Sequence, residues 1–135
     1  MKAYLAVKYH EDKENKELVD SLNKTLEEAG FEVICLVSEE YEKDIEIPAK
    51  KLMDRTFREI DKCDLIIIDL SEKGVGLGIE SGYAKAENIP VYTIAKRGSD
   101  ISKTLRGISR KIIEYEEPEE LKKKFRRIKM DRGKI

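Results

Sequence analysis

Short apolar runs alternate with stretches whose apolar residues recur every three or four positions, and this alternation organises the chain. Ala3, Tyr4, Leu5, Ala6 and Val7 form a compact run that predicts a buried strand. Over residues 12–29, Leu18, Val19, Leu22, Leu26 and Ala29 fall at helical spacing, and Gly30 stands where a helix C-cap belongs. Residues 31–37 predict a second strand. The polar stretch 38–47 has no clear period and predicts a long loop. Pro48 can open a helix over 49–62, whose Leu52, Met53, Phe57 and Ile60 share one face. Residues 64–70 are almost wholly aliphatic, the pattern of a central strand covered on both faces. After a glycine-rich turn come a helix over 79–87, a strand over 90–95, a short helix over 102–108 and a strand over 111–115. A last helix is expected over 118–128, with 130–135 as a frayed tail.

Strands alternating with helices imply right-handed crossovers and a parallel sheet. The reading is an α/β, three-layer, flavodoxin-like or Rossmann-like domain covering residues 1–135, with a five-stranded parallel sheet in the order 2-1-3-4-5. In such a sheet the ligand crevice opens at the carboxyl ends of the strands where the order reverses. Here that point lies between the first and third strands, and the flanking loops are residues 8–12 and 71–78.

Composition narrows the possibilities. Hydrophobic residues make up 40% and charged residues 41%, so a real core lies under a highly charged surface. A formal net charge of −1 gives no support to nucleic-acid binding. The one basic cluster, Lys122 to Arg127, reads as the outer face of the last helix. Cys35 and Cys63 lie inside apolar runs, without the spacing or histidine partners of a metal site, and no apolar stretch is long enough to span a bilayer. A cytoplasmic protein without metal or organic cofactor is expected.

The densest candidate chemistry follows the third strand. Gly74, Gly76 and Gly78 are expected to form a turn that can take positive φ and admit a ligand to the backbone. The spacing Gly76-x-Gly78-x-x-x-Gly82 is not that of a dinucleotide fingerprint, and it follows the third strand rather than the first. Glu80, expected in the first turn of the next helix, would be held ionised there by free N–H groups and the helix dipole. That position suits a helix-capping carboxylate, and equally a nucleophile for an anomeric carbon.

The run Val75-Gly76-Leu77-Gly78-Ile79-Glu80-Ser81-Gly82-Tyr83-Ala84 resembles the signature of the nucleoside 2-deoxyribosyltransferase family, which includes 2'-deoxynucleoside 5'-monophosphate N-hydrolases. Tyr4 stands at the place of the family's first-strand tyrosine. Asp12 to Lys16, Asp64, and Ile101 to Gly107 also match, so the resemblance covers roughly residues 2–110. It implies that Glu80 is the nucleophile and that Tyr4 holds it. It further implies a homodimer or higher homo-oligomer whose Ser102 and Arg106 reach the neighbouring subunit's site. The substrate implied is a small nucleoside or nucleotide. Tyr9 and His10 would flank its base, Lys8 or His10 would face an anion, and Gly76, Gly78 and Ser71 would line the turn.

Three departures accompany the match. Thr56 stands where the family carries an aspartate, with Asp54 two residues away. Gly74 stands where its branches carry aspartate or serine, and Ser71 either compensates or only bonds the turn's backbone. The loop after the first strand, Lys8-Tyr9-His10-Glu11, lacks the glycine of the monophosphate hydrolases. Ser102 matches those hydrolases, yet it also suits a helix N-cap. A nucleotide-binding module that performs no cleavage is the alternative reading.

Overall fold

The computed structural model describes residues 1–133. Its five strands are β1 (Lys2–Ala6), β2 (Glu32–Ile34), β3 (Leu65–Asp69), β4 (Val91–Lys96) and β5 (Lys111–Tyr115). They form one parallel sheet in the order β2-β1-β3-β4-β5, as the alternating pattern requires. The register is regular, with Tyr4 beside Ile66, Ile68 beside Thr93, and Thr93 beside Ile112. The helices are α1 (Lys16–Glu28), α2 (Leu36–Lys43), α3 (Ala49–Asp61), α4 (Val75–Ala86), α5 (Lys103–Ile108) and α6 (Leu121–Arg132), with a 3-10 turn at Pro118–Glu120.

Strand parity divides the core and thereby places the site. Leu5, Leu65, Ile67 and Ile94 pack with Val19 and Leu22 of α1 and Phe125 of α6. Tyr4, Ala6, Ile66 and Ile68 face the other way, toward Ile60 of α3, Leu77 and Ala84 of α4, and Leu105 of α5. The aliphatic run of β3 is therefore two alternating faces, each fully buried. Tyr4 looks toward α4 because it is an even residue in β1.

Helix ends obey local chemistry. Gly30 has φ +102°, and the N–H groups of Gly30 and Phe31 bond the carbonyls of Glu27 and Leu26. This is a Schellman closure, and the left-handed residue it needs is the glycine read from the sequence. On α6, Leu121, Phe125 and Ile128 are buried. The basic residues occupy its outer side, with Lys122 3.0 Å from Glu28.

Several boundaries differ from expectation. The second strand stops at Ile34, and residues 36–43 form α2, where the sequence pattern predicts a strand end and a loop. Leu36 and Tyr41 bury one side of this short helix, too brief to show a period. Helix α1 begins at Lys16, after a turn in which Lys13 takes φ +59°. Helix α4 begins at Val75, not at 79. Met130 to Arg132 continue α6, while residues 134–135 of the expected tail lie outside the described residues.

Candidate active site

The crevice at the β1/β3 reversal holds a cavity of about 690 Å³. Its floor is the Tyr4 and Glu80 pair. The Tyr4 hydroxyl donates to Glu80 Oε1 at 3.1 Å, across the gap between β1 and α4. Tyr4 is 2% exposed, and Leu77 and Ala84 bury the helix face that carries Glu80 to it.

The electrostatics differ from the sequence expectation. Glu80 is the sixth residue of α4, in its second turn, where the backbone N–H groups are already bonded within the helix. The helix start therefore does not hold it ionised. Burial pushes the Glu80 carboxyl up from 4.5 to about 7, against a downward pull from the Tyr4 hydrogen bond. Burial, together with the Glu80 charge, pushes the Tyr4 phenol far above its usual value, so Tyr4 is a neutral donor throughout the working pH range. At neutral pH the carboxyl is poised between its two forms.

The glycine turn is also built differently. Gly74 is the N-cap of α4 in extended backbone, with φ −160°, while Gly76 and Gly78 lie within the helix. None of the three has a positive φ. A Cβ at Gly74 would stand in ordinary contact with the Lys8 stem at 3.6 Å, and at Gly76 and Gly78 it would meet nothing within 4 Å. Gly74 and Gly76 line the cavity, with Lys8 and Tyr9 from the loop after β1. Gly78 does not; it lies on the outward side of α4.

The structure sets His10 and Ser71 apart from Glu80. Both line a second depression of about 420 Å³, beside Asp69 and Lys96. His10 Nε2 meets the Glu72 carboxylate at 2.5 Å, and its backbone N–H donates to the Tyr41 hydroxyl at 2.9 Å. Ser71 donates through N–H and Oγ to Asp69 Oδ1, at 2.9 and 2.6 Å, and its Oγ accepts from Lys96 N–H. Ser71 thus ties the turn to Asp69 and to the end of β4. Asp69 has the parity of Ile67, so it belongs to the face opposite Tyr4, and Tyr115 also donates to it. Burial pushes the Asp69 carboxyl up, partly offset by these hydrogen bonds.

Thr56 lines the Glu80 cavity but donates its hydroxyl to the Leu52 carbonyl at 2.8 Å. Asp54 is exposed and outside the cavity, as an ordinary helix residue would be. Ser102 caps α5, accepting from Leu105 N–H at 3.3 Å, and Arg106 is exposed; neither lines the Glu80 cavity of its own chain. His10, Asp12 and Glu14 place potential cation ligands within 4.8 Å of one another on the α1 approach. His10 is engaged by Glu72 and the two acids are exposed, so this group does not form an enclosed cage.

What sequence reading missed is α2 and the segment after it. Leu36, Val37, Glu40 and Ile45 line the Glu80 cavity. Tyr41 anchors the loop after β1, donating to Asn15 Oδ1 at 2.6 Å while Asn15 donates to the Lys8 carbonyl. The available signal was Tyr41 itself, an aromatic amid polar residues that finishes 3% exposed.

Comparison with known proteins bears on the family and the fold. Residues 3–122 match the model of the nucleoside 2-deoxyribosyltransferase family. A putative 2'-deoxynucleoside 5'-phosphate N-hydrolase 1 of Thermofilum pendens is 27% identical over 113 residues, spanning 81% of this chain and 79% of that protein. The fold is similar to that of the Clostridium botulinum CMP N-glycosidase BcmB, with TM-score 0.64 and 23% identity over 92% of this chain and 96% of that one. It is also similar to a 2-deoxyribosyltransferase of Bacillus psychrosaccharolyticus, with TM-score 0.70 and 15% identity over 90% of each chain. Among the described residues no helix is long and apolar enough to cross a membrane. With the family model running from the Tyr4 strand through the Glu80 helix and on into α6, the chain belongs to the nucleoside 2-deoxyribosyltransferase family.

Proposed function

We propose that the protein cleaves the N-glycosidic bond of 2'-deoxynucleosides or their 5'-monophosphates through a glycosyl ester on Glu80. The observation that carries this is the Tyr4 to Glu80 hydrogen bond at the floor of a nucleoside-sized cavity, inside the matched family region. A Glu80 carboxylate oxygen bonds to C1' as the C1'–N bond breaks, and the departing base nitrogen keeps the bond's electron pair and takes a proton from water. Water or a second base then attacks C1', the ester C–O bond breaks, and the anomeric configuration is retained overall. Tyr4 fixes the carboxylate and, by stabilising its anion, keeps part of it ionised despite burial. Lys8 lines the cavity and its ammonium makes no ion pair among the described residues, which supports a role toward a substrate oxyanion. The T. pendens relative and the CMP N-glycosidase carry nucleotide names, which supports a monophosphate; the transferase favours a free nucleoside.

The test is incubation with a panel of deoxynucleosides, ribonucleosides and their monophosphates, with and without an acceptor base, followed by chromatography. Release of free base without acceptor places the chain in the hydrolase branch; release only with acceptor places it among the transferases. The binding-module alternative has an observation of its own. With Thr56 and Gly74 at the departure positions, Tyr4 is the one side-chain hydrogen-bond partner of Glu80 among the described residues. Nucleotide binding without release from any member of the panel would establish that alternative.

Sharing of sites between copies belongs to the same proposal. Val75, Gly78, Ile79 and Gly82 follow i, i+3, i+4, i+7 spacing along α4, with Val75 84% and Ile79 46% exposed. Gly78 and Gly82 have nothing within 4 Å of an added Cβ, so a second helix can approach closely there. Helix α5 packs beside α4, which sets Ser102 and Arg106 near that seam. Sedimentation velocity is expected to show a dimer or larger species, and Ile79→Asp to shift it to monomer.

A further inference from the structure

The loop after β1 and α2 also line the Glu80 cavity. Tyr9 lines it and stays 44% exposed, its ring tilted 33° against Tyr41 with centroids 5.6 Å apart. Tyr41 is buried and held through Asn15, so Tyr9 rests on a fixed backing and has its other face free. A planar heterocycle stacking there gains contact area without ordering a mobile side chain.

Glu40, from the second turn of α2, lines the same cavity. Neighbouring acids are paired: Glu39 with Arg55 at 2.6 Å and Asp44 with Lys13 at 3.0 Å. The Glu40 carboxyl has neither a cation nor a hydrogen-bond donor among the described residues. It is half-buried, and burial, with the Glu46 charge nearby, pushes its carboxyl above the ordinary range. Glu40 and Tyr9 line the same cavity, so the carboxyl and the stacking platform face a common ligand space. A partly desolvated acceptor without a donor is unfavourable, and a ligand N–H relieves it.

Resting on the proposed glycosidase reading, we infer that Glu40 reads the base edge, accepting a hydrogen bond from an exocyclic amino group of a base stacked on Tyr9. With C1' at Glu80 and the base reaching toward Tyr9, the atom farthest from the sugar meets Glu40. Adenine and cytosine present N–H donors there. Hypoxanthine, uracil and thymine present a carbonyl oxygen, whose lone pairs oppose those of the carboxylate. Sites that hydrogen-bond a substrate group reject the analogue lacking it far more strongly than apolar pockets sense size.

Two matched pairs isolate the contact: deoxycytidine against deoxyuridine, and deoxyadenosine against deoxyinosine. The native protein is expected to favour the amino member of each pair at least about tenfold in kcat/KM. Glu40→Gln can turn its amide to donate, so the ratio should fall to within about threefold, amino substrates losing and keto substrates gaining. Glu40→Ala should lose the discrimination as well, and an unchanged melting temperature excludes misfolding. Equal use of both members by the native protein, or a ratio that survives both substitutions, overturns the inference.

The same pairs titrated onto the Glu80→Gln protein separate this failure from that of the glycosidase reading. Discrimination in binding without any turnover in the native chain would sink the cleavage reading and keep the role of Glu40. Turnover without discrimination would do the reverse. Neither binding nor turnover would overturn both.

Discussion

Glu80→Gln is expected to release base at least about a thousandfold more slowly than the native protein, because it removes the atom that bonds to C1' rather than a helper. The same substitution is expected to make the fold more stable at neutral and alkaline pH. Burial holds the folded carboxyl at about 7, against 4.5 without burial. Between these values the folded state binds the extra proton, so this group's contribution to stability is lost as pH rises and levels off above 7. The cost at pH 8 is at most about 3 kcal/mol. Glutamine keeps the shape and can accept from Tyr4 without the charge. Thermal melts of the two proteins should therefore coincide near pH 4 and separate by pH 8, the variant melting higher. Loss of turnover with gain of stability is the signature of a residue held at the expense of the fold.

Tyr4→Phe should reduce activity by about ten- to a hundredfold near pH 6 and by much less near pH 9. The Tyr4 hydroxyl donates to Glu80 Oε1, and that bond lowers the carboxyl's proton affinity against the larger effect of burial. A hydrogen bond to a charged group is worth about 1.5–3 kcal/mol, equivalent to about one to two pH units. Its loss moves the acidic limb of the kcat/KM profile upward by that amount, since only the ionised carboxylate attacks. The measurement is the full pH–rate profile of both proteins. A uniform loss at every pH would mean that Tyr4 positions substrate rather than tuning Glu80.

Much of this arrangement was written locally. The two-face burial of β3, the Gly30 closure and the strand order follow from period and from residues whose backbone preferences are strong. Tyr4 and Glu80 are 76 residues apart, and their meeting was legible only because a motif named both. What escaped was set by tertiary context. Helix α2 has eight residues, two of them buried, so its period cannot be distinguished from a strand end and a polar loop. Helix α4 starts at Val75 despite glycines that lower helix propensity, because Leu77, Ser81 and Ala84 pack against the sheet; this moved Glu80 from the first turn to the second. His10 and Ser71 follow strands that point toward the Glu80 crevice, yet Glu72 and Asp69 draw them to the other depression. Chain neighbourhood specifies the loop, and partners elsewhere decide which way each side chain turns.

The central claim is covalent bonding to Glu80, and intact-protein mass spectrometry of a quenched turnover mixture tests it most directly. A nucleoside bearing fluorine beside the anomeric carbon slows the second step and lets the ester accumulate. The expected result is a mass increase of one sugar without its base, mapped by fragmentation to the peptide that contains Glu80 and absent from Glu80→Gln. Base release with no adduct, or an adduct on another residue, would contradict the account.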